Sequence, residues 1–477
     1  MPATESHRTV VGNQTDGVPL STLLAGTIVG VYLLVIAGAT AAITDAAAAC
    51  SSWPACGLPT ADSPALAVAW GHRLLAAVVG LAVLGTAAIG IQRLEDRRVR
   101  VALAVAVVLF AAQVGLGAVV TVTGGTGIAP IVHLGAAMAL FTTLVLALAW
   151  HLETEYGDPT DRPDGVPQPP EVTESAGSEE AGATPPGGQT GLLATVRAYV
   201  RLTKPRLMWL LCLVASAGMA LAAGPALTVG TILATLTGGV LAIGASGTFN
   251  HVLERDVDKR MQRTSDRPVV TDRIPIRNAV AFGFALSVLS LAVFATINLL
   301  AAALGLAAIL FYSVVYTLVL KPNTVQNTVI GGFAGALPAL IGWVAVTGTI
   351  GVPGLALAGI IFLWTPAHFY NLALAYREDY ARGGFPMMPV VRGETETHKH
   401  ILLYLGATLL AASGLAALAN LGVLYGATVA AVGAVFLWAV IRLHRERTTN
   451  AAFRAFHASN AFLGALLVAV VIDAMAI

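Results

Sequence analysis

The chain has 477 residues, 56% of them apolar, with only 11% charged and a mean hydropathy of +0.78. Soluble domains carry about 25% charged residues, so this composition excludes a water-borne globule and places the core in lipid. The formal net charge of +1 gives no general affinity for nucleic acid, and where the charges sit matters more than their sum.

Thirteen stretches of mostly apolar residues are long enough to span a bilayer, at about 20 residues each. Behind a polar tail at 1–19, four fall at 20–44, 65–91, 101–122 and 128–150. Nine more fall at 207–224, 227–249, 278–297, 299–320, 327–347, 352–373, 401–420, 422–441 and 455–476. Each is expected to be helical, because lipid offers no partner to an unpaired backbone group. The first run is long enough to span and follows a polar tail, so no cleaved leader is expected. If the N-terminus is cytoplasmic, 26 of the 27 Lys and Arg residues fall in cytoplasmic segments, and only Arg73 does not. That asymmetry supports the parity of the count and a multi-pass protein of the cell membrane.

In the first four spans, His72-Arg73 and His133 stand about seven and five residues from the outer ends of the second and fourth spans. Two histidines at matched depth on facing helices can hold a heme through both axial positions. Two helix–helix hydrogen-bonding groups would look the same. Arg73 would suit a heme propionate. Cys50 and Cys56 lie in the outer loop between spans one and two, where a disulfide is permissible. Cys212, inside a later span, reads as an apolar filler.

The stretch 152–194 is rich in Pro, Gly, Glu and Asp, with nine acidic residues against one Arg between His151 and Glu180. It is expected to be a disordered linker. It separates a four-span domain at 20–151 from a nine-span domain at 195–477.

The larger domain carries the clearest chemistry. Asn250, Glu254 and Asp258 stand at i, i+4 and i+8, on one face of a helix leaving the membrane. Three oxygen-bearing side chains in a row suit Mg²⁺, which is usually held by one or two carboxylates plus substrate phosphates. An ordinary polar loop, with both acids paired to nearby bases, would show the same spacing. A second acidic pair, Glu378-Asp379, falls on the same side of the membrane, as a diphosphate with more than one metal would need. So do the cations Lys204, Arg206, Arg263, Arg267 and Lys321, which could grip phosphate oxygens. His368, within the apolar run at 352–373, reads either as a contact for the acceptor or as a core histidine.

The segment Asn250 to Pro268 resembles the first signature of the UbiA-type intramembrane prenyltransferases. Three further passages resemble the heme O synthase (protoheme IX farnesyltransferase) branch: Leu202-Thr203-Lys204-Pro205-Arg206, the Gln326-Asn327 to Gly342-Trp343 run, and Glu378 to Val390. The resemblance implies nine helices around a cavity and Mg²⁺-dependent ionisation of farnesyl diphosphate. A vinyl group of protoheme IX (heme B) would attack, with water added, to make heme O for heme-copper oxidases. It assigns Asn250, Glu254 and Asp258 to a first metal site, and Glu378 and Asp379 to part of a second. Ala375 and Asn371 stand where other members carry carboxylates.

The first domain resembles one four-helix half of heme A synthase, through Cys50, Trp53-Pro54, Cys56, His72-Arg73, Gln113 to Gly117, and Pro130 to His133-Leu134. The family's acidic residue before the first histidine is missing, since Ala65 to Gly71 contains none. That implies bound heme or a product-receiving role, with a heme A synthase or oxidase assembly proteins as partners. The expectation is therefore an all-α integral membrane protein, a four-helix bundle followed by a nine-helix prenyltransferase domain. Two alternatives stay open: a UbiA-type enzyme acting on a quinone precursor or lipid, and a non-catalytic membrane heme carrier.

Overall fold

The computed structural model describes residues 18–50, 52–54, 56–57, 63–161 and 191–476. Thirteen of its helices are long and apolar enough to cross a membrane. The first four are α1 (Leu20–Ile43), α2 (Pro64–Arg93), α3 (Arg97–Val122) and α4 (Ala129–Tyr156). They form an antiparallel bundle in which each helix packs on its chain neighbour and α1 also packs on α4. Nine more follow: α5 (Pro205–Ala226), α6 (Val229–Leu253), α7 (Ile276–Ile297), α8 (Leu299–Asn323), α9 (Asn327–Thr347), α10 (Val352–Ala375), α11 (Gly393–Ala419), α12 (Val423–Glu446) and α13 (Thr449–Ala476). Among the described residues no strand occurs.

The expected spans match these helices, but the helices run further on the face rich in Lys and Arg. The apolar run at 401–420 belongs to a helix that starts at Gly393, and the run at 128–150 to one that ends at Tyr156. Hydropathy marks where a helix enters lipid, not where its hydrogen bonding begins.

Small residues let the helices of the second domain close up. A Cβ on Gly342 of α9 would lie 2.1 Å from the Ala215 carbonyl oxygen of α5, and one on Gly218 of α5 2.3 Å from that of Ala339. These two helices therefore touch backbone to backbone, and together with α6 and α8 they wall an apolar cavity.

The domains do not hang apart on a flexible tether. Buried side chains of α1 and α4 join those of α11 and α12 in one continuous core, and the Tyr32 hydroxyl donates to the Leu409 carbonyl at 3.0 Å. The expected linker at 152–194 is corrected at its start. Residues 152–156 finish α4, and Asp161 then docks on the second domain. Its carboxylate accepts from the Thr395 backbone N–H at 2.8 Å, the Thr395 hydroxyl at 2.7 Å and Arg447 at 2.8 Å. Lys399 reaches Glu153 at 3.1 Å beside this joint. Composition misjudged these few residues because their partners lie more than 200 positions away. At the other end a helix begins at Leu192. The rest of the expected linker, 162–190, and most of the N-terminal tail lie outside the described residues.

Candidate active site on the basic face

The acidic face forms as the spacing predicts. Asn250 occupies the last turn of α6, Glu254 follows directly, and Asp258 ends the short helix Arg255–Asp258. All three are buried, at 2%, 5% and 1% exposure. Buried polar side chains need partners, and cations from three different segments supply them. Lys321 meets Glu254 at 2.5 Å; Arg267 meets Asp258 at 2.5 Å and Glu254 at 3.6 Å; Lys204 donates to the Asn250 amide oxygen. Two carboxylates against three cations leave this cluster one positive charge in excess.

Lys204 is placed by local backbone geometry. It sits in the left-handed region, with φ 54°, between the helix Leu192–Leu202 and α5, which opens on Pro205. A non-glycine residue holds that conformation only where its surroundings impose it. Here Gly247 of α6 makes room, since a Cβ there would lie 2.9 Å from the Leu202 carbonyl oxygen and 3.3 Å from Lys204 Cγ. The ammonium also reaches the Tyr312 hydroxyl at 3.2 Å. Burial, with Arg267 close by, brings Lys204 down from its ordinary value to about 7. Burial alone would raise Glu254, but Lys321, Lys204 and Arg267 hold it below the usual carboxylate range. At Asp258 burial prevails over Arg267 and pushes the carboxyl up.

The second acidic pair divides. Asp379 turns inward and accepts from the backbone N–H groups of Gln262 at 2.8 Å and Arg263 at 3.3 Å, and from Arg382 at 2.8 Å. Burial alone would raise this carboxyl, but Arg382 and the two N–H groups hold it low. It thereby ties the loop after α6 to the loop after α10. Glu378 is exposed, contrary to its expected place among the ligands, because adjacent helical residues point about 100° apart. Arg263 lies over the Tyr376 and Tyr380 rings, at 4.7 and 5.3 Å from their centroids. Arg206 is also exposed. Among the described residues no three His, Cys, Asp or Glu side chains converge on one point. The donor set is an amide oxygen and two carboxylates, which fits a cation that completes its shell with phosphate oxygens and water.

Lys204 and Tyr312 also line the apolar cavity, whose walls include Leu211, Ala242, Ile243, Pro338 and Cys212, the expected filler. The cation cluster therefore stands at one end of an apolar chamber. His368 lies elsewhere. Its Nδ1 pairs with the Ser459 hydroxyl at 2.7 Å, and its ring stacks between Trp364 at 4.2 Å and Phe456 at 4.3 Å. That is the setting of a hydrogen-bonded core histidine. Tyr312 and Thr317 drew no notice in the sequence, although both reach the site: Thr317 accepts from the Asn250 amide nitrogen at 3.1 Å.

In the first domain the disulfide Cys50–Cys56 is present. Arg73 does not face the bundle interior. It donates to the carbonyls of Pro54 and Ser52, each at 3.0 Å, and to Cys56 Sγ at 3.5 Å, so it clasps the disulfide loop. His72 packs against Gly38 of α1 and His133 against Gly117 of α3, and the Nδ1 of each is buried without a hydrogen-bond partner.

A family model for the UbiA prenyltransferase family matches residues 210–466. The chain is 62% identical over 457 residues to "Protoheme IX farnesyltransferase" of Haloarcula marismortui, covering 95% of this chain and 98% of that one. It is also 62% identical over 459 residues to "Protoheme IX farnesyltransferase 1" of Natronomonas pharaonis, covering 96% and 99%. Among solved structures it resembles a digeranylgeranylglyceryl phosphate synthase at a TM-score of 0.51 and 17% identity, over 59% of this chain and 99% of that one. With a family model matched over more than half its length and relatives this similar end to end, the chain belongs to the UbiA prenyltransferase family.

Proposed function

We propose that the chain transfers a farnesyl group from farnesyl diphosphate to a vinyl group of protoheme IX, making heme O in the cell membrane. The relatives' names supply the substrates, and the observation that carries the site assignment is Lys204. It belongs both to the charged cluster around Asn250 and to the wall of the apolar cavity. A prenyl diphosphate has that same division, a charged head on an apolar tail. In this reading Lys204, Lys321 and Arg267 hold the diphosphate oxygens, and the cavity takes the isoprenoid chain. Asn250, Glu254 and Asp258 would hold Mg²⁺, which supplies charge neutralisation for the departing diphosphate. Asp379 keeps the two loops together, and the positive excess of the cluster favours the leaving group. The C–O bond breaks with its electron pair going to diphosphate. The allylic carbon is then bonded by the vinyl group, water adds at the remaining cationic carbon, and a proton is released.

The test is incubation of the purified full chain with heme B, farnesyl diphosphate and Mg²⁺, with the pigments read by mass. A product heavier by one farnesyl group and one hydroxyl group supports the reading. Unchanged heme B alongside prenylation of an added quinone precursor or lipid would overturn it.

A second inference concerns the first domain, where two buried ring nitrogens without partners face the bundle interior from α2 and α4. Unpaired polar groups of this kind are costly, and a neutral imidazole can give either of its ring nitrogens to a metal. We infer that His72 and His133 hold a heme. A heme A synthase or an oxidase assembly protein would be the partner receiving the product. The basic face is cytoplasmic in this reading.

A further inference from the structure

The helix α8 changes its winding next to the site. From Phe311 to Leu320 it is a π-helix, a rare form that appears mostly as single turns at functional sites. Its effect is visible at Thr317. That hydroxyl donates to the Tyr312 carbonyl, five residues earlier, at 2.8 Å, and accepts from the Asn250 amide nitrogen at 3.1 Å. Both are buried, Thr317 at 4% and Asn250 at 2% exposure.

The direction of this chain is forced. As an ammonium Lys204 can only donate, and the Asn250 atom facing it is the oxygen. The other end is then the NH₂ group, which needs an acceptor. Thr317 can accept there because its own proton is already given to the Tyr312 carbonyl. We propose that Thr317, aimed by the π-helical turn, is a positioning residue that locks the Asn250 amide with its oxygen toward the cation-binding side. An amide turned the other way would present two N–H donors to a metal and repel it. The inference rests on the metal-dependent reading above.

The test uses the full chain in nanodiscs with an unreactive thiolo analogue of farnesyl diphosphate, and follows Mn²⁺ binding by electron paramagnetic resonance. Thr317→Val keeps the shape and removes the acceptor; Mn²⁺ affinity should fall about tenfold, the effect of losing one buried hydrogen bond. Thr317→Ser should recover most of it. In an Asn250→Asp background, where either end of the side chain is oxygen, Thr317→Val should make little further difference, a coupling that packing alone would not produce. Thr317→Ala replaces the Val variant if that one does not melt cooperatively. Wild-type affinity in the Val and Ala variants, or equal losses in the Ser variant and in the Asn250→Asp background, would overturn the proposal. No Mn²⁺ binding by the unaltered chain would instead remove the metal reading and this inference with it.

Discussion

Asp258→Ala is the sharpest test of the charged cluster. The substitution takes away one of two carboxylates that stand against three cations, so the local sum moves from +1 to +2. Diphosphate binding should survive, since Lys204, Lys321 and Arg267 all remain. What is lost is support for the dication. A unit charge pair at 4 Å is worth about 4 kcal/mol at an effective dielectric of 20. Glu254 and a water entering the vacated position recover part of the doubled value for a dication. A net loss of about 3 kcal/mol at the ionisation step corresponds to roughly two orders of magnitude in kcat. Arg267 keeps Glu254 at 3.6 Å and is partly exposed, so the fold should persist. The assay is heme O formation by the purified variant in nanodiscs at saturating Mg²⁺, with a melting curve as control and Asp258→Asn as a same-sized comparison. Turnover within a few-fold of wild type in a folded variant would refute the metal assignment.

Other expectations follow from particular contacts. Gly342→Ala would place a methyl group 2.1 Å from the Ala215 carbonyl oxygen, and should cost about 3 kcal/mol or block folding, seen as a lower melting temperature in detergent. Asp161→Ala removes three hydrogen bonds between the domains and should make the segment around residue 161 cleave faster under limited proteolysis, without abolishing prenyl transfer. Residues 193–477 expressed alone carry every residue proposed for prenyl transfer and should keep transferase activity, but should melt earlier than the full chain because α11 and α12 lose their buried neighbours. Equal melting of the two forms would show that the shared core contributes nothing.

The parts legible in the sequence are those governed by short, regular spacing. A four-residue repeat put Asn250, Glu254 and Asp258 on one face, and charge asymmetry put Lys204, Arg267 and Lys321 on the same side of the membrane. Features set by long-range partners or irregular winding escaped. Tyr312 and Thr317 lie in an apolar span, and ordinary helical winding would separate positions five apart by about 140°; only the π-helical turn stacks them. Glu378 and Asp379 looked equivalent as letters, yet one faces water and the other the loop after α6. His368 left two readings open, and the ring partners that favour the core reading are Trp364 and Phe456, the latter 88 positions on (456 − 368).

The last prediction turns on where the two proposed sites lie along the membrane normal. The start of α3, the end of α4 and the start of α11 share one face, through Arg98–Glu153 at 3.6 Å and Lys399–Glu153 at 3.1 Å. Asn250 also lies at that face, in the last turn of α6. His72 stands 21 residues from the basic end of α2 (93 − 72), about 31 Å along the axis at 1.5 Å per residue. His133 stands 23 residues from that end of α4 (156 − 133), about 35 Å. The two sites are thus separated by about the thickness of the hydrocarbon core, and heme held by the histidines cannot be the heme being prenylated. The two activities should therefore be separable by mutation. His72→Ala or His133→Ala should convert a low-spin bis-histidine spectrum to high spin, or lose the pigment, while heme O formation stays within a few-fold of wild type. If either substitution abolished prenyl transfer in a folded chain, the sites would be coupled and the separation read from the helices would carry no functional meaning. If the unaltered chain took up no heme beyond its substrate, the two histidines would be unpaired groups of the bundle interior and nothing more.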